Sequence, residues 1–154
     1  MSWIENIDFV KYNNDTRYLY KAQTKSGKKN WVVGYYATAH NDNNEPLHLI
    51  IQNDSYYDDY EGFSFTEHID PKTLCTCTGF RDKNGNLIFE GDILKITVDT
   101  PVNIQLTAIV EVQWFNEHGA YLTWNKENNT VNWLYDNDFK NVEIIGNIHE
   151  KEVN

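Results

Sequence analysis

Apolar and polar residues alternate with a period of two along most of this chain, and Gly, Pro, Asn and Asp interrupt the alternation every few residues. That is the pattern of short, half-buried strands joined by tight turns. Leu94, Ile96 and Val98 alternate with Lys95, Thr97 and Asp99, which predicts a strand with one wet face. The longest run, Leu106 to Phe115, directs Leu106, Ala108, Val110, Val112 and Trp114 one way and Glu111 and Gln113 the other. Arg17 to Gln23 and Asn30 to Ala39 predict a hairpin around Lys25-Ser26-Gly27-Lys28. Leu74 to Arg81 and Asn86 to Phe89 predict another around Asp82-Lys83-Asn84-Gly85, where Asn-Gly suits a turn that needs positive φ. Leu47–Gln52, Phe63–Ile69, Ala120–Trp124, Val131–Tyr135 and Val142–Ile148 complete the expected strands. Gly91 marks a bend or bulge. At the start, Trp3, Ile4, Ile7 and Val10 have a short helical spacing with Ser2 as N-cap, or form an extended arm.

From Gly91 onward the pattern is five short strands with tight turns. A small, strongly bent SH3-like barrel is the natural closure for such strands, because closure removes exposed edges. The expected fold is therefore mainly β: a barrel in the C-terminal half, β-hairpins in the N-terminal half, and at most one short helix. Length supports a single domain over residues 1–154, with an N-terminal hairpin part (approximately 17–75) and a barrel-like part (76–150). A chain of 154 residues is long enough to bury a core, about 68–70% of its unfolded surface. Composition points the same way. Five Trp and ten Tyr suit pleated surfaces, and the many Asn residues favour turns over helix interiors.

Charge narrows the function. Thirteen Lys and Arg stand against 23 Asp and Glu, for a net charge of −10. Neutralising phosphates takes Lys and Arg, so nucleic acid is not an expected partner. The one local basic cluster, Lys25-Ser26-Gly27-Lys28-Lys29, reads as a solvated turn. No apolar stretch approaches the roughly 20 residues that a membrane helix needs, and no secretory signal opens the chain. Cys75 and Cys77, one residue apart, would strain a disulfide on a single strand and read as free thiols in a reducing cytosol. A C-x-C half-site needs further ligands that no second thiol pair supplies.

Candidate chemistry is sparse. Glu90 and Asp92 flank Gly91, and in an extended backbone both carboxylates would emerge on one face. Such a pair can hold a divalent cation or divide acid and base roles. The architectural reading, in which they accept hydrogen bonds from turn amides, carries more weight. Asp82 has a similar task as the side-chain acceptor of its turn. His40, His48 and His68 lack the spacing of a metal motif. No nucleophile elbow or phosphate-binding loop is present. The acidic loop Asp54 to Gly62 carries Tyr56, Tyr57, Asp58, Asp59 and Tyr60. Tyrosine is common at interfaces, so these five residues form a candidate partner-binding loop.

One block carries a family resemblance. Thr78-Gly79-Phe80-Arg81-Asp82-Lys83-Asn84-Gly85, followed by Ile88-Phe89-Glu90-Gly91-Asp92-Ile93, resembles the "TGLKDKNGKEIYEGDIV"-like hallmark of the YopX family of phage and prophage proteins. Phe80, Arg81 and Phe89 are mild departures from it. Upstream, Trp31-Val32-Val33-Gly34-Tyr35-Tyr36 resembles that family's "WVYGYY" segment. Downstream, Val142-Glu143-Ile144-Ile145-Gly146-Asn147-Ile148-His149-Glu150 resembles its closing "EVIGNIYE". Trp31, Gly34, Thr78, Gly79, Asp82, Asn84, Gly85, Glu90, Gly91, Asp92, Gly146 and Asn147 are then motif residues, expected to be structural. The resemblance implies a mainly β protein encoded by a phage or prophage and implies no activity; with no signal or membrane segment read from the sequence, the expected location is the cytoplasm of the bacterial host. The expectation is a non-enzymatic protein without cofactor that acts by protein–protein contact with a host or phage protein and by forming a homo-oligomer. The alternatives are an acidic DNA mimic or host-defence inhibitor, a metal-dependent hydrolase using Glu90 and Asp92, and a nucleic-acid-binding barrel. The stretch from Asn41 to His68 matches none of the three blocks.

Overall fold

The computed structural model describes residues 16–53 and 64–150. The opening segment Ser2–Val10, expected as a short helix or an extended arm, and the tyrosine-rich loop with Tyr56, Tyr57, Asp58, Asp59 and Tyr60 lie outside the described residues. The fold is mainly β, with one sheet curled into a half-barrel and a second sheet beside it. Strands run in chain order as β1 (Leu19–Gln23), β2 (Trp31–His40), β3 (Pro46–Asn53), β4 (Ser64–His68), β5 (Cys75–Arg81) and β6 (Leu87–Phe89). They continue as β7 (Asp92–Asp99), β8 (Gln105–Phe115), β9 (Ala120–Asn125), β10 (Thr130–Trp133) and β11 (Val142–Asn147). The helical content of the described residues is three single 3₁₀ turns, Pro71–Thr73, Leu134–Asp136 and Phe139–Asn141.

Two antiparallel sheets result. The first has six strands in the order β4-β3-β2-β1-β5-β6, and the second has five in the order β10-β9-β8-β7-β11. The β5–β6 hairpin, expected with the barrel-like part, pairs through Tyr20↔Thr76 and Lys21↔Cys75 with β1 and belongs to the first sheet. Strand alternation fixes which face a residue takes, but a strand partner on the far side of a 50-residue excursion leaves no trace in periodicity.

Turn chemistry explains the Asn content. Asn44, Asn103 and Asn129 sit at φ +61°, +59° and +55° in three of the loops, a conformation that Asn tolerates better than other side-chain-bearing residues. Gly34 answers a different demand. A Cβ there would stand 2.3 Å from the Ile51 carbonyl oxygen, so only glycine lets β2 pass β3 at this point.

Each sheet has its own core. Ile88, Leu94, Val110, Val112, Leu134 and Val142 form the cluster under the five-stranded sheet. Fully burying each such side chain is worth about 1.5–3 kcal/mol. Ile88 comes from β6, so the motif hairpin supplies part of the second sheet's core. On the first sheet, Ala22, Val32, Ile50 and Ile69 pack on one face, and Cys75, Cys77 and Phe89 form a separate cluster.

The long strand departs from the simple alternation. Val110 and Val112 are buried as expected, whereas Leu106 (58% exposed) and Trp114 (42%) stand outside. Eleven residues of strand extend about 37 Å, which overruns the core at both ends. Glu111, expected on the wet face, is only 8% exposed. Its carboxylate pairs with Lys126 Nζ at 2.8 Å and accepts from Gln113 Nε2 at 3.1 Å.

Candidate functional site

The motif residues other than Gly34, which lies against Ile51 of β3, gather around the β5–β6 hairpin and the strands that meet it. Gly91, at φ +82°, breaks the extended run that would have put Glu90 and Asp92 on one face. The positive φ calls for glycine, and a Cβ here would also crowd Ile148 Cγ1 at 3.1 Å. Its N–H donates to Val112 O at 2.8 Å, and its own carbonyl accepts from Ile148 N at 2.9 Å. The sharp bend therefore pins the end of the β5–β6 hairpin to β8 and to the end of β11.

Past the bend, Asp92 turns inward and is fully buried. One oxygen accepts from the ammonium of Lys21 on β1 and from Asn147 Nδ2 on β11 at 3.0 Å. The other accepts from Phe89 N at 2.7 Å. Lys21 lies over the rings of Trp31 at 4.8 Å and Phe89 at 5.1 Å, so the cation is held by a carboxylate and two aromatic faces. Asn147 also reaches Cys75 Sγ at 3.8 Å, and its side-chain oxygen accepts from His149 N at 3.0 Å. Gly146 precedes it at a bulge, pairing with Ile93 after the register shift at Ile145. Trp31 closes the edge of this cluster by donating from Nε1 to Glu150 Oε1 at 3.2 Å.

Glu90 takes other partners. Its Oε2 accepts from Thr76 Oγ1 at 3.1 Å, and Thr76 Oγ1 lies 2.8 Å from the Tyr121 hydroxyl. Burial pushes the Tyr121 hydroxyl above its ordinary pKa. The two carboxylates of the triplet are thus each engaged with separate protein groups. Among the described residues no three His, Cys, Asp or Glu side chains lie close enough together to hold a metal ion.

A second anchor sits at the hairpin turn. Asp82 Oδ1 accepts from Asn84 N at 2.9 Å and Asn86 N at 3.0 Å, and Oδ2 accepts from Ile144 N on β11 at 3.1 Å. Gly85 N donates to Asp82 O at 3.0 Å, and Lys83 N to Val142 O at 2.8 Å. Burial pushes the Asp82 carboxyl up, but the three amide donors outweigh it and hold the group below the usual carboxylate range. Thr78 Oγ1 donates to Ile88 O at 2.7 Å and accepts from Phe80 N at 3.2 Å. It braces the strand where Gly79, at φ +82°, accompanies the register shift between β5 and β6.

The chemistry available at this junction is holding rather than reacting. Burial pushes the Cys75 thiol up to about 11, against the opposing pull of Lys21. A thiol so placed is neutral at physiological pH and a poor nucleophile. Both cysteines are free and buried. Asp82, Gly91, Asp92 and Asn147 tie β5–β6 to the five-stranded sheet, while Asn84 and Gly85 shape the hairpin turn and Gly146 pairs with Ile93 within that sheet. Lys21 belongs to the same cluster and was missed from sequence. Its signal was a charge between Tyr20 and Ala22 in a short strand, which calls for a countercharge if the strand is buried.

A different kind of surface lies at the far end of β7 and β8. Thr100 N donates to Ile104 O at 2.9 Å, and Asn103 N to Thr100 O at 3.0 Å, closing a tight hairpin loop. Val98 and Leu106 face each other across the ladder. Around them, Val98, Val102, Ile104 and Leu106 are 51%, 72%, 57% and 58% exposed.

Among the described residues no helix is long and apolar enough to cross a membrane. No curated protein sequence matches this chain. The family model described as YopX protein matches residues 19–152, nearly the whole length, and the chain belongs to the YopX family.

Proposed function

We propose that this protein is a phage or prophage accessory protein of the bacterial cytoplasm. It works by contact with other protein chains, first of all a second copy of itself, and not as an enzyme. The observation that carries this reading is the apolar tip of the β7–β8 hairpin. Four branched side chains, Val98, Val102, Ile104 and Leu106, project there, each at least half exposed. Covering them would recover transfer free energy at about 25 cal/mol per Å², and contiguous apolar patches of this kind mark interaction surfaces. The motif junction supports the non-enzymatic part. Asp92, Asp82 and Asn147 spend their hydrogen bonds on the fold, and the Cys75 thiol is protonated.

Size-exclusion chromatography with light scattering tests the reading. The wild-type protein is expected at a multiple of 18.1 kDa, and a Val102→Lys, Leu106→Lys variant at the monomer mass. A wild-type protein that stays monomeric at high concentration sinks the self-association reading.

A further inference from the structure

Beside the edge strand β10 lies a groove of about 280 Å³ lined by Phe115, Leu122, Val131, Asn132, Trp133 and Asp136. Trp133 pairs with Leu122, and Leu122 with Gln113, so these side chains stand on the face of the five-stranded sheet opposite its core residue Val112. Its walls are unusually aromatic. Trp133 is stacked on Tyr135 at 6.1 Å, meets His118 edge-on at 5.3 Å and reaches Phe115 at 6.4 Å. Asp136 lines the same groove.

Elsewhere this chain sets its own cations over four aromatic rings. Lys21 lies over Trp31 and Phe89, Lys126 over Trp124 at 5.3 Å, and Arg17 over Tyr18 at 5.5 Å. Lys21 further joins its two rings to the carboxylate of Asp92. The groove repeats that combination of rings and a carboxylate, yet no Lys or Arg is among its lining residues. Aromatic faces attract cations through the ring quadrupole, and a nearby carboxylate adds a charge-assisted hydrogen bond. An anion would meet Asp136 and a chain of net charge −10, so phosphates and acidic segments are disfavoured.

We propose that this groove receives a cationic side chain, a guanidinium or ammonium, from a basic segment of a partner protein. Trp133 supplies the platform, Phe115 and Leu122 the apolar walls for the side-chain stem, and Asp136 the countercharge. The site is separate from the β7–β8 tip and does not depend on self-association.

The test is titration of ¹⁵N-labelled protein with acetyl-tri-arginine amide, read at the Trp133 indole N–H. Tri-citrulline, which keeps the shape and loses the charge, and neutral maltotriose serve as comparison ligands. The expected result is a saturable shift at Trp133 with tri-arginine and none with either comparison ligand. Asp136→Asn, at an exposed position that does not threaten folding, is expected to weaken tri-arginine binding about tenfold. Equal shifts with tri-citrulline or maltotriose would overturn the proposal. So would unchanged affinity in the Asp136→Asn protein, or shifts spread over the acidic surface that leave Trp133 unmoved.

Discussion

Asp92 is a fully buried carboxylate with three partners, and its environment decides what a substitution would do. The carboxylate is fully buried and meets Lys21, Asn147 and the Phe89 amide at once. Removing one charge of such a pair strands the other in a dry site, which costs about 3–5 kcal/mol, whereas replacing both with apolar side chains is often close to neutral. Asp92→Asn is therefore expected to lower unfolding free energy by about 3–5 kcal/mol, measured by urea denaturation. The Lys21→Met, Asp92→Leu double variant should recover most of that loss. A double variant no better than the single one would show that the ion pair itself, and not its desolvation, stabilises the junction. The family resemblance marked Asp92 and Asn147 as motif residues, and the Glu90-Gly91-Asp92 triplet suggested hydrogen-bonded carboxylates. It missed Lys21, because the motif is contiguous while the cation arrives from a strand 71 positions away.

At the scale of elements, the β5–β6 hairpin is the piece whose attachment most depends on one side chain. Asp82 shapes the turn through Asn84 and Asn86 and docks it to β11 through Ile144. Its folded pKa lies below the ordinary value, which for a free Asp is about 3.9. The sign follows from that direction. The unfolded chain takes up the proton first as pH falls, so the stabilisation is complete above about pH 4 and lost as pH drops through the folded pKa. Asp82→Asn puts an amide N–H₂ against backbone donors and is expected to cost about 1–3 kcal/mol at pH 7. In urea titrations at about pH 7 and about pH 3, the gap between wild type and variant should narrow in acid. A gap that is the same at both values would assign the effect to side-chain shape rather than charge. The strands themselves were legible from alternation and turn residues, and the Asp82–Gly85 turn was read correctly. Membership of the hairpin in the first sheet was not legible, because β5 joins β1 across the β2–β4 excursion. The incomplete curl has a physical cause as well. The free edge of β11 is occupied by Lys83 N and the Asp82 carboxylate, so β10 and β11 remain the two ends of an open sheet.

The charge of the whole molecule sets the conditions under which copies can meet. The chain carries a net charge of −10, and Asp82, Asp92 and Glu111, although buried, are a small part of its 23 acids. Two copies therefore repel at long range. The β7–β8 tip is apolar at Val98, Val102, Ile104 and Leu106, so its attraction does not weaken when salt screens charge. Screening lengths fall from roughly 10 Å at 0.1 M to about 3 Å at 1 M salt. Self-association through this tip should therefore tighten, on the order of tenfold, as sodium chloride rises from about 0.05 to about 0.5 M. Sedimentation equilibrium across that series measures it. Complexes held by ion pairs, and complexes with nucleic acid, move the opposite way, since both lose electrostatic attraction as salt rises. A dimer that loosens with salt would move the contact from the hairpin tip to a charged face. A dimer that tightens in the wild type but not in the Val102→Lys, Leu106→Lys protein would fix it at the tip.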